Sequence, residues 1–414
     1  MTATAIRTPV TRGWMVLFAV AWLAIWTVQL TPVQLLLPTQ LDTPDDADGW
    51  ISGVVSTGVV LGVGGLAGVV AGPLAGAMSD RTRSRWGRRR PWALGGTWIA
   101  AVCLAVTGFA VGPVAVGAAW TGVSVGIAIV SAALTAMIAD QLPEAQRGTA
   151  ASLASSAQAV GIIVGVGTVV VLALTVDVSY LVLGGFIAMV GTLAALVLPD
   201  PPGHPAATSG RDSGALRSLR DRDFGWMISG RLVVNIGNAL GTTLLLFFLM
   251  YGLGQGAAAE DNLLMAIVVY TVFVVLASFG SGWWSDRTGR RRMPTVASAM
   301  IQALASLLLA FVPSWEMTLV AAALLGVGYG AFMTTGLAFA TDLLPDERAH
   351  ARDLGMVTVS AALGQLLGPL IGAALVALAG GFWLLFLAGA VLSVLGGLMT
   401  AGARERTPQT ARMS

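Results

Sequence analysis

The 414-residue chain contains no lysine, one cysteine and two histidines, and only 11% of its residues are charged. Each shortage excludes something. With Cys103 alone, no intramolecular disulfide can form. His204 and His350 fall in polar connecting segments, so no His/Cys metal cluster is expected. A soluble chain carries about a quarter of its residues charged to cover its surface. Here 56% are hydrophobic and the mean hydropathy is +0.80, so lipid must do most of that covering and an integral membrane protein is expected. The acids nearest the bilayer fall at helix ends beside arginines, an arrangement that suits gates better than catalysis. Neither an enzyme nor a cofactor is expected, and no nucleic-acid partner.

Apolar runs long enough to cross roughly 30 Å of hydrocarbon as helix occur at 14–37, 50–77, 92–112, 114–138, 149–174, 178–198, 225–252, 262–283, 294–312, 315–340, 354–378 and 381–402. The first, preceded by Arg7 and Arg12, is too long for a signal-peptide core and is read as a retained span. The longest polar interruption, PDPPGHPAATSGRDSGALRSLRDRD, is rich in Pro, Gly, Ser and charge, as a linker is. The expected organisation is an all-α membrane protein of twelve helices: a six-helix bundle over 1–198, a cytoplasmic linker over 199–224 and a second bundle over 225–414.

With lysine absent, arginine alone carries the positive charge. Arg7, Arg12, the six arginines of SDRTRSRWGRRRPW (Ser79 to Trp92), Arg147, Arg211, Arg217, Arg220, Arg222, Arg287, Arg290, Arg291, Arg292, Arg348, Arg352, Arg404, Arg406 and Arg412 all fall on one side of a twelve-span topology. The opposite connections carry only acids: Asp42, Asp45, Asp46, Asp48, Asp177, Glu260, Asp261 and Glu316. By the positive-inside rule the arginine side is cytoplasmic, with both termini, in a cell membrane. Arg231 lies just inside the seventh span, where it is expected to snorkel to the cytoplasmic interface.

The arginine loop recurs. Gly76-x-x-x-Asp80-Arg81-Thr82 matches Gly282-x-x-x-Asp286-Arg287-Thr288, and Gly87-Arg88-Arg89-Arg90 matches Gly289-Arg290-Arg291-Arg292. DQLPE from Asp140 matches DLLPD from Asp342; Gly148, Gln158, Gly161 and Gly165 match Gly355, Gln365, Gly368 and Gly372; GWM at Gly13 recurs at Gly225. Matches in fixed order across two six-span halves indicate internal duplication, and halves of like orientation imply a pseudo-two-fold axis along the membrane normal.

Six plus six spans, a long central linker and a Gly-x-x-x-Asp-Arg-x-Gly-Arg-Arg loop after spans two and eight resemble the major facilitator superfamily of secondary transporters. The long form SDRTRSRWGRRRP is similar to its sucrose and glycoside–cation symporter branch. The resemblance implies two halves rocking about a central site, moving a small organic solute such as a sugar or glycoside. It also implies that Asp80 and Asp286, near helix N-termini and loop arginines, latch the cytoplasmic ends together when they are close. Asp80, Arg81, Gly87, Arg88, Asp140, Arg147, Asp286, Arg287, Gly289, Arg290 and Asp342 are the gating candidates. Anionic lipid is expected against the outer arginines, and the protein is expected to be a monomer.

Substrate candidates are the few polar and aromatic groups within spans. Trp22, Trp26 and Gln29 share a face of span one, and Asn235, Asn238 and Thr242 share a face of span seven. Ser124, Ser131 and Thr135 on span four and Tyr329 and Thr334 on span ten are further candidates. Gln158 and Gln365 are identical residues at matching depth, about 15 Å into the membrane, where an amide must face protein or water. Glycines recurring every four residues, at Gly64, Gly68, Gly72 and Gly76 on span two and Gly364, Gly368 and Gly372 on span eleven, suggest close helix approach. In the family these two helices meet across the halves, which implies a sliding surface there.

No Asp, Glu or His lies deep in any span, although such groups are the usual proton or sodium coupling elements. Span four lacks the arginine motif of the drug-antiporter branch and span five its Gly-Pro motif, though Gly368-Pro369 occurs on span eleven. The missing acids count against cation-coupled sugar symport and the missing motifs against the drug-antiporter branch; efflux of hydrophobic drugs or metabolites and non-transporting sensing stand as the alternatives. Cysteines introduced at Asp46 and Arg211 should react with an impermeant label from opposite sides of the membrane; labelling from the same side removes the twelve-span topology.

Overall fold

A computed structural model describes residues 10–43, 49–200, 221–343 and 350–404. Most of the expected linker, with His204, Arg211, Arg217 and Arg220, lies outside them. So do Arg7, Arg348, Arg406, Arg412, Asp45, Asp46 and Asp48. Among the described residues the secondary structure is helical throughout, with no strand.

Two compact units divide the chain, Met1–Ser209 and Gly210–Ser414. The first holds α1 (Arg12–Leu41), α2 (Trp50–Arg81), α3 (Arg90–Phe109), α4 (Pro113–Gln141), α5 (Glu144–Val171) and α6 (Val176–Val197). The second holds α7 (Arg222–Thr243, continued by Leu245–Gly252), α8 (Ala259–Thr288), α9 (Arg292–Phe311), α10 (Trp315–Asp342), α11 (His350–Ala379) and α12 (Trp383–Gly402). Among the described residues eleven helices are long and apolar enough to span a membrane, and the two parts of α7 make a twelfth if counted as one span. The protein is a multi-pass membrane protein.

Local chemistry sets the helix ends. Thr11, Asp221 and Ser314 accept from backbone N–H groups that the first turns of α1, α7 and α10 leave unbonded. Pro91 and Pro113 occupy first-turn positions of α3 and α4, where a missing N–H costs nothing. Gly289 closes α8 in the left-handed region at φ 66°, its N–H bonded to Ser285 O at 2.9 Å.

The two units share one packing pattern. In the first, α2 and α3 pack on α4, α3 on α6, and α1 on α5 and α6. In the second, α8 and α9 pack on α10, α9 on α12, and α7 on α11 and α12. Each contact of one unit has its counterpart six helices on.

Small residues permit these approaches. A Cβ at Gly96 would lie 2.7 Å from Val130 N and 2.8 Å from Gly126 O on α4. Gly161 and Gly165 of α5 sit against Trp26, Thr27 and Thr31 of α1, and Gly364 and Gly368 of α11 against Asn235 and Ala239 of α7. This corrects the reading of the span-eleven glycines: they seat α11 on α7 inside their own unit. On α2, Gly64 and Gly68 likewise face Trp120 and Ser124 of α4, while Gly72 and Gly76 have nothing within 4 Å of a Cβ.

The first helix of each unit is irregular at the corresponding point. α1 passes through a π-turn at Pro32–Leu36, where proline has no N–H to give to the preceding turn. Its counterpart, at the same offset as Gly13 from Gly225, is Leu244, where α7 bends by 45°. There Thr242 and Thr243 donate back to Asn238 O at 3.1 Å and Ala239 O at 2.6 Å, bonds that bend helices.

Gly96→Ala should lower the thermal midpoint by the equivalent of about 1–3 kcal/mol, the usual cost of overpacking. Gly95→Ala, with nothing within 4 Å of its new Cβ, should be neutral or gain up to ~1 kcal/mol of helix propensity. Thermal unfolding in detergent compares the two.

Candidate functional site: duplicated charge clasps and a polar helix face

Loop 82–89 carries the densest charge. Arg88 Nη2 donates to Asp140 Oδ2 at 2.6 Å, and Arg89 Nε donates to the same oxygen at 3.0 Å. Arg89 also reaches Asp80 Oδ1 at 2.5 Å and donates to Ser79 Oγ at 2.9 Å. This buried guanidinium therefore ties the ends of α2 and α4 together. Burial works against the charge on Arg88, but its hydrogen bond to Asp140 and the fields of Asp140, Asp80 and Asp200 more than offset that, and its pKa is raised.

Gly87 has φ 104°, and the space its side chain would take is filled by Asp200. The Asp200 carboxylate accepts from the backbone N–H of Arg89 at 2.6 Å and of Arg90 at 2.7 Å, capping α3 where the helix dipole is positive. Gly87 is thus a close-approach position that lets a residue beyond α6 reach the loop.

The second unit repeats the central element. Arg291 Nε donates to Asp342 Oδ2 at 2.9 Å, the same atoms as in the Arg89–Asp140 bond. Ser285 Oγ donates to Arg290 O at 3.4 Å where Ser79 Oγ donates to Arg88 O at 3.5 Å. The copies then diverge. Asp286 is exposed and makes no ion pair among the described residues, unlike Asp80. Arg287 lies 5.5 Å from the Trp283 ring, Arg290 is exposed, and Arg147 donates to Leu142 O at 3.2 Å. Arg81 is exposed, with Arg83 and Arg85.

Along α1, Trp14, Phe18, Trp22 and Trp26 form a ladder of rings with centroids 4.9, 6.4 and 6.2 Å apart. Trp26 Nε1 donates to Ala154 O at 3.1 Å, tying α1 to α5, whereas the buried Trp22 Nε1 has no partner. Gln29, Ser131 and Gln158 are half-buried and Gln365 is exposed. Ser124 packs on Gly64 and Thr334 against Gly282, so both belong to helix seams. Thr135 is exposed.

The polar face of α7 is buried. Asn235 donates to Arg231 O at 2.8 Å, and the Asn238 side chain lies against the Tyr270 hydroxyl. Tyr329 of α10 lies 6.3 Å, ring to ring, from Tyr270 of α8. Arg231 does not snorkel: it is 2% exposed, its guanidinium 5.9 Å from the Phe332 ring and 3.2 Å from Met333 Sδ. Helical side chains lean towards the N-terminus, but α10 closes off that route.

Arg89, Asp200, Tyr270 and the burial of Arg231 escaped sequence reasoning. The repeat does carry the signal for Arg89, since it pairs Arg89 with Arg291 as it pairs Asp140 with Asp342. Asp200 carries no signal, lying in polar sequence that reads as linker.

Residues 2–165, 57–280 and 238–413 match the sequence profile described as Major Facilitator Superfamily. A protein of Escherichia fergusonii named for multidrug resistance, MdtD, is 32% identical over 136 residues, 33% of this chain and 28% of that protein. The chain thus matches little more than a quarter of that relative's length. An uncharacterized symporter of Synechocystis sp. is 56% identical over 39 residues, 9% of this chain and 7% of that one. Among solved structures, a variant of the nucleoside transporter NupG superposes with TM-score 0.75 at 14% identity, covering 94% of this chain and 99% of that one. A bacterial homologue of the human lysosomal transporter Spinster gives 0.71 at 14%, covering 95% and 97%. At such identity these two describe the fold.

Asp140→Asn should cost on the order of 1–3 kcal/mol, because it leaves two mostly buried guanidinium groups facing each other without their shared carboxylate. Asp342→Asn, at a side chain 45% exposed, should cost under about 1 kcal/mol. Equal losses in thermal unfolding would show that the two clasps do not differ as their burial implies.

Proposed function

Because the chain belongs to the major facilitator superfamily, we propose that it is a secondary active transporter, moving a small organic solute across the cell membrane by alternating access. The observation that carries this reading is the clasp built twice from the same atoms, Arg89–Asp140 and Arg291–Asp342, at the loop end of corresponding helices. Paired charges at the ends of mobile helices suit a gate, since separating them has a modest cost and re-forming them is specific.

In this reading the functional bodies are 1–198 and 225–414, joined by a cytoplasmic linker at 199–224, with both termini cytoplasmic. Asp80 and Asp140 latch the first bundle and Asp342 the second, while Gly87 and Gly289 shape the loops. The protein acts as a monomer and not as an enzyme. The exposed Arg81, Arg83 and Arg85 suit contact with anionic lipid. Trp22, Trp26, Gln29, Ser131, Gln158, Asn235, Asn238, Tyr329 and Gln365 are the proposed solute contacts. Gln158 and Gln365 complete no hydrogen bond among the described residues, as suits amides facing water within the membrane. Trp26 offers only its ring face, its N–H being committed to Ala154.

A sugar or glycoside remains the first substrate class to test on the strength of SDRTRSRWGRRRP. The relative named for multidrug resistance favours efflux of hydrophobic compounds as a second reading. Counterflow in proteoliposomes against a panel of glycosides and hydrophobic drugs tests both; binding without exchange for every compound would identify a sensor instead. Asp80→Asn should slow exchange and shift the cytoplasmic ends towards the open state, with affinity in detergent changing far less. Unchanged distances between those ends would remove the latch.

A further inference from the structure

Arg231 is the charge that neither the gate nor the topology uses. It stands nine residues into α7, ~14 Å along the helix from Arg222. The other charged residues within the described helices fall in the terminal turns. The duplication does not account for it either: the corresponding residue of α1 is Ala19.

Among the described residues its surroundings offer the charge only the face of the Phe332 ring, 5.9 Å away, and no acid. Arg231 Nε and Nη1 complete no hydrogen bond, and Nη2 has only the thioether of Met333, a weak acceptor. Among the described residues no acid pairs with it. The groups around it present donors or hydroxyls. Tyr329 lies within its electrostatic reach and Tyr270 against Tyr329, with the Asn238 side chain next to the Tyr270 hydroxyl. Gly336 adds no side chain beside Nη1. An uncompensated ion in low dielectric is strongly unfavourable, and the missing partner must be negative and rich in acceptors. Guanidinium matches carboxylate and phosphate in both charge and planar hydrogen-bond geometry.

We propose that Arg231, with Tyr329, forms an oxyanion-binding site inside the second unit, and that the transported solute is an organic anion whose carboxylate or phosphate group seats there. This rests on the transport reading for the identity of the ligand, but the site itself is tested by binding alone. The arrangement also bears on the absence of acids within the spans. A solute that brings its own negative charge to a fixed arginine needs no protein carboxylate to balance it.

The test uses the full chain in nanodiscs of phosphatidylcholine alone, with thermal midpoint read against benzoate, inorganic phosphate and the uncharged analogue benzamide. The expected result is saturable stabilisation by benzoate or phosphate and none by benzamide. Arg231→Gln should weaken that response at least tenfold, while without anion its midpoint should equal or exceed that of the unaltered protein, because an unpaired charge has been removed. Arg231→Lys should retain part of the response. Should Arg231→Gln fail to fold, Tyr329→Phe, which keeps the ring against Tyr270, should still weaken the response several-fold. No response to either anion, or an undiminished response in Arg231→Gln and Tyr329→Phe, overturns the site. Stabilisation only after phosphatidylglycerol is added to the nanodisc assigns the oxyanion to a lipid headgroup and overturns the solute assignment. Anion binding with no counterflow of benzoate, phosphate or any compound of the glycoside and drug panel in proteoliposomes would leave the site standing and sink the transport reading.

Discussion

Moving a charge from water into hydrocarbon is so costly that a membrane protein must place every ionised group where water, a counter-charge or a ligand can reach it. That constraint organises this molecule. It confines most charge to helix ends. It makes Arg88 and Arg89 converge on Asp140, because a guanidinium with so little exposure needs an acceptor. It also gives Arg231 its significance, since among the described residues no acid meets the same requirement there.

The helices were legible because hydrocarbon demands long apolar runs, and the expected spans agree with α1 to α12 to within a few residues at most ends. The bend in α7 was not legible, because two threonines back-bonding to the main chain leave hydropathy unchanged. The charge clasps were legible as a set of residues but not as a set of partners. Asp80 and Asp140 stand out by type and repetition, whereas the choice of Arg89 over Arg81 depends on which way a loop turns at Gly87. The span-eleven glycines show the same limit: spacing identified a close-packed face but could not name the helix it meets, which is α7. Arg231 was misread because position along a helix does not reveal whether a neighbour blocks the path to water.

Comparison of the two units separates what the architecture requires from what one copy has acquired. Both keep the arginine–aspartate bond between loop and helix end, the serine that donates to the loop backbone, and the seating of the fifth helix of each unit on the first. Among the described residues, the Asp80 ion pair and the Asp200 cap are seen in the first unit, and a charge inside the first helix in the second. The shared features hold a bundle together. The unshared ones are where the two copies have specialised.

The irregularity of α1 and α7 at corresponding points has a consequence of another kind. One copy departs from regular helix through a proline and the other through a pair of hydroxyls, so the two segments look unrelated as strings of letters while the main chain departs at the same place. Selection has acted there on a curve in space and has left open the chemistry that draws it. Ancestry at such a point is recorded in backbone shape after it has been erased from the letters, and a distant relative could preserve the feature with a third solution.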